Sequence, residues 1–173
     1  GRALALDPDN ADARLALIGA YPWFRRWLET EKSLRAFLRD HPDSALGNVA
    51  LGDLLLAVGR NEEAIGHARR ATEIDPMQQI GWATLAWAHH FAGRNDEAAM
   101  VIEEGLSRWP QSSRLWFFGS EVLAASNRFA ESAAYLRDSS RRPRLVPQAL
   151  VESVARTYDA LATRSGTAAY GET

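Results

Sequence analysis

At 173 residues the chain has the length of one ordinary domain, with enough apolar side chains to bury a substantial core. Its 20 basic and 22 acidic side chains nearly cancel, which excludes a global field for holding nucleic acid or an anionic membrane. There is no cysteine, which excludes disulfides, thiol nucleophiles and thiolate metal sites, and suits a reducing, cytoplasmic setting. Lys32 is the only lysine and alanine is abundant, a bias of GC-rich coding that points to a bacterial source. No run of about 18 uninterrupted apolar residues occurs and the first residues lack signal-peptide form, so no membrane span or export signal is expected.

In chain order, GRALALDPDN at 1–10 reads as the end of a helix closing at Pro8, as if cut from a longer protein. Pro42, Pro76 and Pro110 follow Pro8 at a constant spacing of 34 residues. Between them GRNEEA (59–64), GRNDEA (93–98) and the degenerate NRFAES (127–132) recur at the same offset. The period divides the chain into a partial unit at 1–10 and repeats at 11–44, 45–78, 79–112 and 113–146. A terminal helix follows at 148–163, where Val151, Val154, Ala155 and Tyr158 restart the pattern. Residues 164–173 lose periodicity and are expected to be a flexible tail.

Each unit reads as two helices. The first carries an i, i+3, i+4, i+7 series, such as Asn48, Leu51, Gly52, Leu55 and then Trp82, Leu85, Ala86, His89. A Gly or Asn allows a left-handed turn, and Asn61 or Asn95 is expected to cap the second helix, whose first turn is acidic. The second helix closes at its proline. No stretch alternates with period two, so no strand is expected.

A 34-residue helix-turn-helix unit with small residues where the helices cross resembles the tetratricopeptide repeat family. Trp82, Leu85, Ala86, Gly93, Ala98, Ile102, Gly105 and Pro110 carry the resemblance in one unit. Leu51, Gly52, Leu55, Gly59, Ala64, Ala68, Ala71 and Pro76 carry it in the unit before. It implies an all-α, right-handed solenoid of antiparallel helix hairpins. Departures are concentrated in two units. In the first, Ile18 stands at the small position, Thr30 replaces alanine, and Pro22 is expected to shorten the first helix. In the fourth, Gly119 replaces a large apolar residue and Ser132 an alanine. Looser packing is expected in both.

The resemblance also implies a concave wall made by the first helices, with a groove formed by Trp23, Val49, Asp53, Leu56, Ile80, Trp87, His90, Phe91, Arg114, Phe117 and Glu121. This set is mostly apolar and aromatic, the composition of a protein-binding surface, so the expected partner is a protein, bound through an apolar extended peptide or amphipathic helix. The same residues would also serve if neighbouring helices or the C-terminal segment covered them. The clamp for C-terminal carboxylates known in the family is absent, since its positions carry Leu15, Gly19, Ala50, Ile80 and Thr84. So is the asparagine ladder, replaced by Ala16, Ala50, Thr84 and Phe118. ALALDPDNADARLAL, IGWATLAWAHHFAGRNDEA and RRPRLVPQAL also look like the C-terminal repeat regions of bacterial winged-helix or cyclase-type regulators, which gives a regulatory or sensing domain as the alternative. Self-association through the terminal helices is a further expectation.

No catalytic site, cofactor site or metal site is expected. His41, His67, His89 and His90 lack i, i+4 ligand spacing with a third carboxylate, and no phosphate loop, dinucleotide fingerprint or nucleophile elbow occurs. Pairs such as Glu62–Glu63 and Glu103–Glu104 read as solvated faces. Arg141, Arg142 and Arg144 follow a helix end, where cations offset the dipole, so nucleic acid is not an expected partner. The adjacent histidines divide by helical geometry: His89 falls on the packing face and His90 about 100° further round, on the wall.

Overall fold

The periodic sequence becomes helices and tight turns throughout the described residues. The computed structural model describes residues 10–19 and 26–169, and these form nine helices with no strand. They are α1 (Ala11–Gly19), α2 (Trp27–Asp40), α3 (Ala45–Ala57), α4 (Asn61–Ile74), α5 (Gln79–Phe91), α6 (Asn95–Arg108), α7 (Ser113–Ala125), α8 (Phe129–Arg137) and α9 (Gln148–Ala169). Pro22 and Trp23 lie outside the described residues. Pro42, Pro76 and Pro110 each come one residue after a helix cap, at His41, Asp75 and Trp109. The residue before a proline is forced out of the helical region, so the chain must turn there.

The turn inside each hairpin is left-handed, at Gly59 (φ 77°), Gly93 (φ 76°) and, where glycine is lost, Asn127 (φ 58°). Asparagine is the side chain that tolerates this region best after glycine. Ser44 and Ser112 cap α3 and α7, accepting from Gly47 N at 3.0 Å and Leu115 N at 3.3 Å.

The second helices start differently from expectation. Asn61 does not cap α4; it is the first helical residue, Arg60 occupies the cap position, and the Asn61 amide donates to the Phe91 carbonyl at 2.7 Å. That bond satisfies a carbonyl left over at the end of α5. In place of a capping side chain, Arg60 and Arg128 each fork onto a glutamate three residues on, Glu63 and Glu131, at 2.6–2.9 Å. The glutamates also sit where the positive end of the helix dipole favours an anion.

The chain forms two compact units, residues 1–92 and residues 93–173. In the first, the α2–α5 interior is built from Leu34, Phe37, Leu51, Leu55, Ile65, Trp82 and Leu85, all buried. Ala64, Ala68, Ala71 and Ala86 are fully enclosed between them, so the helices approach as closely as a methyl group allows. Several polar groups in this interior are matched: the Trp82 indole donates to Pro76 O at 3.0 Å, and Asn48 donates to Ser44 O while its Oδ1 lies 3.0 Å from His67 Nδ1. On the outside, Arg35 and Arg60 both pair with Glu31 and Glu63, which joins α2 to α4.

The second unit corrects the expectation of loose packing around Gly119 and Ser132. The Tyr135 hydroxyl lies 2.6 Å from where a β-carbon on Gly119 would stand, so the phenol fills the space that a larger residue would take. Ser132 is fully buried and its hydroxyl donates to Ser120 O at 2.8 Å, which fixes α8 against α7. Trp116, also fully buried, stacks on Tyr135 with ring centroids 6.0 Å apart, and the Arg141 guanidinium lies 5.1 Å above the phenol ring while Glu103 holds it at 2.6–2.7 Å.

Helix α8 is short, and α9 docks on it through Val151 and Ala155, both fully buried, through Phe129 stacked on Tyr158, and through Arg137, which binds Glu152 and Asp159 together. Helix α9 continues past residue 163 to Ala169, so much of the stretch expected as a flexible tail is helical.

Candidate functional site

In the first unit the expected looseness takes the form of a cleft of about 340 Å³. Leu15 and Ile18 of α1 form one side, Thr30 and Leu34 of α2 another, and Leu46, Val49, Ala50, Asp53 and Leu54 of α3 the third. Two of the three sequence departures of this unit, Ile18 and Thr30, therefore line the cleft. Val49 is only 4% exposed and belongs to its floor, whereas Leu46, one turn earlier on α3, is 45% exposed at its rim. An apolar cleft of this volume is within the range of ligand pockets.

Among the described residues, Asp53 is the one charged side chain that lines the cleft. Its Oδ1 accepts from the Thr84 hydroxyl at 2.9 Å, so α5 orients the carboxylate that α3 carries. Trp87 lies one turn beyond Thr84 on α5 and meets Phe91 edge to face, with centroids 6.5 Å apart and planes at 75°. His90 leans on Phe91 at 5.3 Å. Trp87 and His90 are not freely exposed, Trp87 being half-buried, and Phe91 is 56% exposed. Ile80, 36% exposed, stands in the first turn of α5, and Leu56 is half-buried near the end of α3. His89 is 6% exposed, inside the unit, and His90 is half-buried, so the two neighbouring histidines divide into a core residue and a partly exposed one.

The sequence-derived residues of this unit thus fall into two groups, Val49 with Asp53 at the cleft and Trp87, His90 and Phe91 on α5. The Asp53–Thr84 hydrogen bond connects the helices that carry them. The groove drawn from the sequence omits Leu46, Leu34 and Thr84. Leu46 is a first-turn wall residue, and its exposure was the signal that a periodicity count does not contain. Trp23 lies outside the described residues.

In the second unit Arg114, Phe117 and Glu121 share one face of α7, with Arg114 and Glu121 exposed. Phe117 packs edge-on against Trp116 at 5.0 Å, which leaves it half-buried.

Several charged groups outside the cleft are tied into pairs. Hydrogen bonding from Arg35, with Arg60 in support, holds the Glu31 carboxyl below its ordinary range, and Arg60 does the same to Glu63. Burial, helped by the Arg35 charge, pushes the His67 imidazole down. Among the described residues no three His, Asp or Glu side chains are grouped to hold a metal ion, and no helix is long and apolar enough to cross a membrane.

Comparison with known proteins agrees with this geometry. The family model described as tetratricopeptide repeat matches residues 24–77 and 84–144. No curated protein matches. Among solved structures, the crystal structure of MamA is 18% identical, with a TM-score of 0.64 over 94% of this chain and 86% of that one. TTC0263, a thermophilic tetratricopeptide protein of Thermus thermophilus, is 16% identical, with a TM-score of 0.70 over 92% and 85%. PilF of Pseudomonas aeruginosa is 22% identical, with a TM-score of 0.66 over 89% and 75%. At these identities the structures show a shared fold, and the family match covers most of the chain. The chain belongs to the tetratricopeptide repeat family, an all-α fold whose repeats are in general scaffolds for protein–protein interaction.

Proposed function

We propose that the first unit holds an apolar peptide or amphipathic helix of a partner protein, with the α1–α3 cleft as the anchor pocket and Trp87, His90 and Phe91 as the flanking surface. The observation that carries this reading is an apolar cleft with a large apolar side chain left in water at its rim, Leu46, and a second, Phe91, left in water on α5 of the same unit. Leaving such groups exposed costs roughly 1.5–3 kcal/mol each relative to burial, and a partner that covers them recovers part of that. The half-buried Phe117 between Arg114 and Glu121 gives the second unit a smaller surface of similar kind. Nothing in the reading requires a catalytic step or a cofactor, and a cysteine-free interaction module suits the cytoplasm.

The experiment is selection from a random peptide display library, followed by titration of recovered peptides against the wild type, Leu46→Glu and Phe91→Ala. Both positions are exposed, so the variants are expected to fold. Recovered sequences should carry paired aliphatic or aromatic residues and lose about tenfold in affinity on either substitution, since central apolar contacts are each worth more than about 1 kcal/mol. Peptides that bind Leu46→Glu as well as the wild type would remove the cleft from the function.

A further inference from the structure

We propose that the turn between α8 and α9 is a second docking surface, fitted to a segment of a partner protein that is both acidic and apolar. It lies wholly in the second unit, so it neither needs nor tests the cleft of the first. Leu145 is 94% exposed, the most exposed large apolar side chain among the described residues. Pro147, Ala149 and Leu150 are exposed just after it, Leu150 at 47%, so the apolar surface is continuous along the chain. A lone exposed leucine needs no explanation, but a contiguous patch marks a place where something binds.

The tip of this turn is built in advance. Pro143 is fully buried and Val146 is 7% exposed, and Val146 N donates to Pro143 O at 3.0 Å, which leaves Arg144 and Leu145 as the two residues that project. Arg144 N donates to Gln111 Oε1 at 2.8 Å, lacing the tip to the α6–α7 connection, so little ordering cost remains for binding. Charge selects the partner. Arg141 is taken up by Glu103, whereas among the described residues Arg142 reaches only the Gln148 amide and the Arg144 guanidinium has no carboxylate. Both precede α9, whose first turn carries no acidic residue, at the end of a helix where the dipole disfavours cations. An incoming carboxylate relieves that field and matches the guanidinium fork, while Leu145 takes the apolar neighbour. One aliphatic tip with two free cations falls short of the doubled signal that stable membrane attachment takes, which favours a protein segment over a lipid surface.

The test uses three synthetic twelve-residue peptides with the same leucine pattern, carrying glutamate, glutamine or lysine at the intervening positions. Each is titrated into the 15N-labelled chain, followed at the amides of Arg144, Leu145 and Leu150, and repeated with Leu145→Ser and with Arg142→Gln/Arg144→Gln. These side chains lie outside the core, and thermal melts confirm that the variants are folded. The glutamate peptide should bind about tenfold more tightly than the glutamine peptide, with the lysine peptide weaker still and the preference shrinking as salt rises. Leu145→Ser should cost the glutamate peptide about tenfold, and the double arginine variant should bring the glutamate and glutamine peptides within about twofold of each other. Equal affinities for all three peptides, a preference that survives the double variant, or no movement of these amides would overturn the proposal. If the peptides leave the amides unmoved while phosphatidylglycerol vesicles bind the wild type and not Leu145→Ser, the patch belongs to lipid. If instead sedimentation shows the wild type dimeric and Leu145→Ser monomeric, it belongs to a second copy of the chain.

Discussion

The hydroxyl of Tyr135 occupies the place beside Gly119 where any other residue would put its β-carbon, 2.6 Å from that position. The missing large side chain on α7 and the phenol on α8 are therefore one packing solution. Gly119→Ala should destabilise the second unit by about 1–3 kcal/mol, because Tyr135 is pinned between Trp116 and Arg141 and cannot swing aside cheaply. The check is a urea titration, with Gly119→Ala/Tyr135→Phe expected to recover part of the loss.

The same phenol is held out of water, and its hydroxyl has no hydrogen-bond partner among the described residues. Burial raises its pKa from 10.0 to about 12. The unfolded chain therefore loses this proton first as pH rises, so the contribution to stability is complete below about pH 10 and is lost as pH climbs toward about 12. Absorbance at about 295 nm should show one tyrosine ionising late. Tyr135→Phe should be close to neutral in stability at about pH 7 and should flatten the alkaline loss.

His67 gives the opposite flank. Its pKa is lowered from 6.5, first by burial and then by the Arg35 charge. The unfolded state takes up the proton first on acidification, so stability present above pH 6.5 falls as pH drops through the lower folded value. Melts at about pH 7.5 and about pH 5 should differ in the wild type and differ less in His67→Gln. A slope unchanged by the substitution would assign the acid loss to other groups.

Asn61 and the Phe91 carbonyl form a tie between α4 and α5. Asn61→Ala should cost about 0.5–1.5 kcal/mol, and amide exchange should speed up in the last turn of α5. Loss of stability without faster exchange there would mean that the asparagine acts only through its own helix.

The repeat was legible because proline and glycine mark the chain at a fixed interval, and each has a backbone reason to be there. The separation of His89 from His90 was legible too, since helical rotation alone puts neighbours on different faces. What escaped the sequence depends on pairs of helices. The fit of Tyr135 to Gly119 and the reach of Asn61 to Phe91 join residues whose proximity no periodicity encodes. The extra turns of α9 escaped for another reason: TRSGTAA carries no apolar period from which a helix could be read. Among the groove residues, Val49 belongs to the wall by its position in the repeat but lies at the bottom of a cleft, because the walls above it come from α1 and α2.

The asparagine tie also bears on how such an array can be cut. A piece trimmed after Ile74, at the apparent end of a repeat, would strip the acceptor from Asn61 and uncover the α3 and α4 surfaces that α5 seals. The first compact unit instead runs to Ala92, just past the helix that opens the next repeat. Sequence periods and compact units are therefore out of phase by one helix, and a piece cut behind a first helix is expected to be more stable than one cut at the end of a repeat.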